Sequence, residues 1–240
     1  MKNNLGLFLD TTFYMIIGLL NENNKWIDYY HSNEQKSSAL IHKQIDEIIK
    51  KNNFKKEAIN RVIHVAGPGS YTGVRVSRGI SEVFALLDRQ VFSFYHFDVP
   101  KYLEIKKGLW FAKAFKGEFF VYEWNYNNIE NKYITQKSLK KKQSFFEYID
   151  WLLNRSQEQQ QDNKTKLKLF THYKDEIFNE EDTKNILTGI LTANDCAIEE
   201  TSSMIKENSD KLLSLIQKNA IQDEPYYYRS LDDEFRSFKN

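Results

Sequence analysis

The chain has 240 residues, 41% of them hydrophobic and 28% charged, with 34 basic against 33 acidic side chains and a formal net charge of +1. The length suits one large domain or two lobes, and the composition a globular fold rather than a disordered or fibrous one. The near-zero charge excludes a global basic footprint for nucleic acid, and the single cysteine, Cys196, excludes an internal disulfide or a cysteine-based zinc site; no apolar run approaches about 18 residues or forms a leader, so a cytoplasmic protein without a membrane span is expected.

Three apolar segments open the chain, at 5–9, 13–20 and 26–30, separated by turn-forming residues such as Asn21, Glu22, Asn23 and Asn24. They predict a three-stranded antiparallel meander with Trp26 on its exposed edge. The period then lengthens: Leu40, Ile41, Ile45, Ile48 and Ile49 recur at helical spacing, which predicts a helix over 37–51 with Ser37 or Ser38 as its cap. A buried strand at 61–66 runs into Gly67-Pro68-Gly69-Ser70-Tyr71-Thr72-Gly73, and a second helix follows with Val76, Ile80, Val83, Phe84 and Leu87 on one face. Residues 91–95 read as a fifth strand.

A similar order returns in the second half. Strands are predicted at 109–115, 118–124, 132–135 and 167–171, with a helix marked by Phe145, Phe146, Ile149, Trp151 and Leu152, and a long final helix over 193–218 that carries Cys196. Lys137, Lys140, Lys141 and Lys142 read as a solvated basic loop. Trp110, Trp124 and Trp151 read as core, and Tyr226, Tyr227 and Tyr228 as an extended tail laid on a lobe, with the middle ring facing away from the other two. The whole predicts an α/β protein of two tandem lobes, each a mixed sheet with βββαβα order, as in the actin-like, sugar-kinase and Hsp70-type (ASKHA) fold. The lobes are expected at 1–98 and 99–240.

The chemistry of such a chain centres on the strand-to-helix turn. A Gly- and Ser-rich turn at a helix N-terminus aims backbone N–H groups and the positive end of the dipole at one place, which suits phosphate. Asp10, Thr11 and Thr12 fall where a first phosphate loop belongs in this order of elements. The candidate phosphate or nucleotide loop is therefore Asp10, Thr11, Thr12, Gly67, Gly69, Ser70, Thr72 and Gly73. The same residue types also suit a tight connection that touches no ligand, with Ser70 capping the helix and Asp10 capping a turn.

Gly67 to Val76, with Asp10-Thr11-Thr12 before it and Pro225-Tyr226-Tyr227-Tyr228-Arg229 near the end, resembles the TsaB family (YeaZ-type, Gcp-like), whose members read D-T-S, G-P-G-S-F-T-G-[IV]-R-[IV]-G and P-x-Y-L-R at these places. The resemblance departs at Lys113-Ala114-Phe115-Lys116-Gly117-Glu118, where the family has D-A-R-x-G-E. It implies a noncatalytic partner subunit of a TsaD-type threonylcarbamoyltransferase in tRNA N6-threonylcarbamoyladenosine modification, working with a TsaE-type ATPase, with tRNA contacted only indirectly. It implies docking through the two N-terminal helices, for which Ser38, His42, Val74, Arg75, Arg78, Gly79 and Ser81 are the candidate interface residues. The same apolar helices would allow a homodimer in isolation. His42 alone does not make the two-histidine metal site of the catalytic relatives, so no metal is expected. No tightly bound cofactor is expected either, at most weak ATP or ADP binding. The alternative is a nucleotide-binding ASKHA enzyme of kinase or ATPase type, but Arg75 is the only cation near the loop and no acidic base is evident in the second lobe. A peptidase lacks both an H-E-x-x-H pattern and a G-x-S-x-G elbow.

Overall fold

Two runs of consecutively buried residues form the centre of the first sheet, in a computed structural model that describes residues 4–32, 40–158 and 166–228. They are β1 (Leu5–Asp10) and β4 (Ile59–Gly67), which pair in parallel. Strands covered on both faces read as continuous apolar runs rather than alternating ones, which is why both are evident in the sequence. β2 (Ile16–Leu20) and β3 (Trp26–His31) extend the sheet antiparallel on one side, and β5 (Gln90–Tyr95) extends it parallel on the other, giving the order β3-β2-β1-β4-β5. The second strand begins three residues later than its apolar run, because Phe13 and Tyr14 pack ring edge to ring face in the connection.

Helices α1 (Ile41–Lys51) and α2 (Tyr71–Leu86) cover one face of this sheet. Ile41, Ile45, Ile48 and Ile49 of α1 and Ile80 of α2 bury against Leu5, Leu7, Leu9, Ile17, Leu19 and Val62. The proposed cap Ser38 and the start of the first predicted helix lie outside the described residues. Ser70 does cap α2, its Oγ accepting from Gly73 N at 3.1 Å.

The second sheet repeats the topology. β6 (Lys107–Lys113), β7 (Glu118–Asn127) and β8 (Lys132–Lys141) are antiparallel neighbours, and β9 (Lys168–Thr171) and β10 (Ile198–Glu200) run parallel to β6, in the order β10-β9-β6-β7-β8. The short helix α3 (Val99–Tyr102) precedes the sheet. Helices α4 (Lys142–Glu158), α5 (Lys174–Phe178) and α6 (Glu181–Ala193) follow within it, and α4 packs Phe145 flat on Phe119 with ring centroids 4.0 Å apart. Both sheets thus have the strand order and directions expected of actin-type lobes.

Four expectations are corrected. The long final helix is broken: Asp195 takes a positive φ of 45°, β10 follows, and then come α7 (Thr201–Glu207) and α8 (Ser209–Lys218). Cys196 therefore sits in a connection, partly packed on the second core. The lysine cluster is not a loop: Lys137, Lys140 and Lys141 lie in β8 and Lys142 begins α4. Trp124 and Trp110 are core, whereas Trp151 is 50% exposed on α4. Trp26 is no free edge residue, since its ring lies across Gly18, meets Phe8 edge-on at 5.4 Å and donates to Lys206 O.

The described residues fall into two units, one made of those up to His96 and from Lys206 onward, the other of those between Phe97 and Ile205. The chain thus returns to its first unit at the end, where the expectation kept 99–240 together. The reason is local. Asn24 Nδ2 donates to Ser214 Oγ and Gln217 Oε1 of α8, Ser93 N donates to Ile221 O, and Tyr226 N donates to Ala66 O. Among the described residues, no helix is long and apolar enough to cross a membrane.

Candidate functional site

The turn between β4 and α2 lies on the end of β1. Ser70 N donates to Thr12 O at 2.7 Å and Thr11 Oγ1 donates to Gly73 O at 2.5 Å. A Cβ built on Gly73 would stand 1.8 Å from Thr11 O, and one on Gly69 2.5 Å from Thr12 Cβ. Gly67, at φ +124°, would meet Tyr226 O at 2.4 Å. The glycines of the motif are thus required by chain crossings, from β1 on one side and from the C-terminal segment on the other. Three N–H donors at the start of α2 are engaged within the chain: Ser70 by Thr12 O, Gly73 by Ser70 Oγ and Val74 by Ser70 O. Thr72 is exposed, while Thr11 and Thr12 are buried.

Asp10 is 1% exposed. Its Oδ1 accepts from Thr12 N at 2.9 Å and Thr12 Oγ1 at 2.7 Å, and its Oδ2 lies 2.9 Å from Nε2 of His96, which is itself fully buried. An ionised carboxylate only accepts, so Nε2 carries the hydrogen. Burial pushes the Asp10 carboxyl up, but the His96 charge and hydrogen bond and the two Thr12 donors outweigh it and hold the group below the ordinary carboxylate range. Both oxygens of this carboxylate are therefore committed inside the first unit. His96 went unnoticed in the sequence: it lies 86 residues from Asp10 at the end of β5, and no local pattern marks the pairing.

The C-terminal segment closes the other side. Tyr95 Oη donates to Glu224 O at 2.8 Å, Tyr226 meets Tyr95 and Tyr227 meets Tyr71 at ring distances of 5.5 and 5.0 Å, and Arg75 lies 3.9 Å above the Tyr71 ring. Arg78 is held between Glu82 at 2.8 Å and Glu224 at 2.5 Å. Arg229 of the tail motif lies outside the described residues.

Of the residues proposed to meet a partner, Val74 and Ser81 are corrected to the core, 0% and 1% exposed, with Ser81 Oγ donating to Ser77 O at 2.8 Å. Val83 and Leu87, predicted on the buried face of α2, stand outside it, while Val74 and Ser81 stand inside. Arg75, Gly79, Glu82 and Val83 occupy the outer face, with Arg78 half-buried beside them. Gly79 has open space where a Cβ would stand. His42 is exposed and lines a groove of about 300 Å³ with Ile45, Ile49, Ile80, Val83 and Phe84. Val83, Leu86 and Leu87 are 56%, 85% and 61% exposed, and Leu40 at the head of α1 is 50% exposed. Among the described residues, no cluster of three His, Cys, Asp or Glu side chains is placed to hold a metal.

His64, on β4 beneath α2, is 4% exposed, and burial pushes its imidazole down to about 4. A histidine whose pKa falls on folding must charge against its surroundings, so stability should fall as pH drops from about 6.5 towards about 4. His64→Gln is expected to flatten that part of the pH profile, and an NMR titration of wild type should show a neutral ring at pH 5.

No family model matches the chain, and no curated protein matches it. Among solved structures it is similar to YeaZ from Pseudomonas aeruginosa, at 16% identity and TM-score 0.46 over 57% of this chain and 67% of that one. It is also similar to the component A of (R)-2-hydroxyglutaryl-CoA dehydratase from Acidaminococcus fermentans, at 8% identity and TM-score 0.45 over 90% and 98%, and to the ethanolamine utilization protein EutJ from Carboxydothermus hydrogenoformans, at 8% and 0.41 over 89% of each.

Proposed function

We propose that this chain is a noncatalytic subunit that docks, through α1 and the outer face of α2, on a TsaD-type catalytic subunit in tRNA N6-threonylcarbamoyladenosine formation. The observation that carries the reading is the Gly67–Val76 motif, folded as a strand–turn–helix against Asp10–Thr12, with the helix it launches presenting Val83, Leu86 and Leu87 to solvent. An apolar helix face beside a groove is the kind of surface another helix covers. The engagement of both Asp10 oxygens and of the Ser70, Gly73 and Val74 N–H groups supports a structural use of the loop. A TsaE-type ATPase would join the assembly, tRNA would be met chiefly through the partner, and self-association through the same face is the expected state without it.

The test is reconstitution of the tRNA modification by a TsaD-type subunit with and without this chain. Leu86→Glu removes an 85% exposed side chain, so the fold should hold within about 0.5 kcal/mol. Co-purification with the partner should fall at least tenfold and modification should fall with it. Unchanged modification on omitting the chain would refute the role.

A further inference from the structure

We propose that residues 221–228 form a strap beside His64, and that a proton taken up by His64 releases it. The strap backbone meets the first sheet where Ser93 N donates to Ile221 O at 3.1 Å and where Tyr226 N donates to Ala66 O at 2.8 Å. Other ties run through side chains. Gln222 Nε2 donates to Val91 O at 3.0 Å, Ser93 Oγ to Asp223 O at 2.8 Å and Tyr95 Oη to Glu224 O at 2.8 Å, while Arg78 of α2 holds the Glu224 carboxylate. Every residue of the strap keeps part of its surface exposed. A segment that buries no side chain fully and hangs largely on polar ties opens ahead of the core.

His64 stands on β4 between Leu9 and Ser93 in register. Ser93 is bonded to the strap in both directions, its Oγ donating to Asp223 O and accepting from Asp223 N. A cavity of about 530 Å3 is walled by α2, β5 and the strap, with His64 in its lining. The charged groups facing it are Arg78 and Glu82 from α2, Arg89 from the connection to β5, and Asp223 and Glu224 from the strap. Arg78 is engaged by Glu82 and Glu224, and Arg89 by Asn60 Oδ1 and Glu57 O. His64 Nδ1 has no hydrogen-bond partner in the chain. Burial weighs most against a second proton on the ring; the Val65 carbonyl and Glu82 favour that proton and Arg78 opposes it. The closed strap therefore holds the ring neutral.

Opening lets water reach the ring and returns it from about 4 to the ordinary value of about 6.5. A histidine with the lower pKa in the closed state favours the open state as pH falls. The open population is smallest above about pH 6.5, grows about 20-fold between pH 7 and pH 5, and levels off below about pH 4 at about 300 times its value for the neutral ring. A strap along β5 also serves simply to cover a sheet edge, but that role needs no histidine beside it. Opening also parts Glu224 from Arg78 and Tyr227 from Tyr71, both on α2. That effect on the docking helix rests on the docking reading; the opening itself does not.

The experiment uses the full chain alone, so its outcome is separate from that of the docking reading. Amide hydrogen exchange is followed by NMR at pH 7, 6 and 5, with the intrinsic rates divided out. The Ser93 and Tyr226 amides are expected to share one opening constant, at least about tenfold larger than that of the β1 and β4 amides and insensitive to dilute urea. That constant should rise about 20-fold from pH 7 to pH 5. His64→Gln should remove the rise, with circular dichroism unchanged. Glu224→Gln, at a side chain 81% exposed, should enlarge the opening about two- to fivefold at every pH and keep the rise. Were His64→Gln to unfold, wild type and Glu224→Gln would still decide. Strap amides as protected as the core, an opening constant indifferent to pH, a rise that persists in folded His64→Gln, or one that vanishes in Glu224→Gln would overturn the proposal.

Discussion

Gly73→Ala is expected to destabilise the first unit by about 3–5 kcal/mol, while Gly79→Ala, six residues on in the same helix, should stabilise it by about 0.5–1 kcal/mol. The contrast is geometric. A Cβ at position 73 would lie 1.8 Å from the Thr11 carbonyl oxygen, which is backbone and cannot swing aside. Relief requires α2 to lift from the end of β1. That lift breaks the Thr11 Oγ1–Gly73 O and Ser70 N–Thr12 O hydrogen bonds, at about 1 kcal/mol each, and adds about 1–3 kcal/mol for overpacking. Position 79 has open space for a methyl group, so only the helix preference of alanine over glycine acts there. Urea denaturation followed by circular dichroism reads both. Equal midpoints for wild type and Gly73→Ala would mean that the turn does not rest on β1 as described.

The parts of this architecture that were legible in the sequence are those whose burial is uniform or periodic. β1 and β4 are buried along almost their whole length, so apolar residues dominate both. The four isoleucines of α1 all face one core. β8 escaped because an edge strand has one solvent-facing border and here carries lysines in place of apolar residues, so only its first four residues read as strand. The break at Asp195 escaped because Ala193, Ala197 and Ile198 continue an apolar count that periodicity alone cannot distinguish from helix. In the candidate site, Ser70 as the cap of α2 was readable, because capping is a local relation. The pairing of Asp10 with His96 and the return of the C-terminal segment to Gly67 were not, because each joins residues far apart in the chain whose types are individually unremarkable. Val74 and Ser81 show the limit within a helix: one position of phase decides between an interface and a core.

Asp10→Asn is expected to cost about 3–5 kcal/mol near neutral pH, the range for removing one partner of a buried charge pair. The amide keeps the size of the carboxylate, but its one oxygen cannot accept from Thr12 N, Thr12 Oγ1 and His96 Nε2 together, and its NH2 group would face a donor. His96→Gln should cost a similar amount by leaving the carboxylate unpaired, and the double variant should cost little more than either single one, because both remove the same interaction. The acid limb gives the sign. Asp10 has a folded pKa below its unfolded value, so its contribution is complete above the ordinary carboxylate range of about 3.9 and is lost as pH falls through the lower folded value. The gap between wild type and Asp10→Asn should therefore narrow as pH drops below about 4, while a variant acting only through packing would keep its gap. Urea midpoints at pH 7 and pH 3 separate the two. Asp10 fixes Thr12 directly, and Thr12 O receives Ser70 N at the cap of α2. The loss of the pair should thus reach the outer face of α2, and Asp10→Asn should weaken co-purification with a TsaD-type subunit although Asp10 itself is buried.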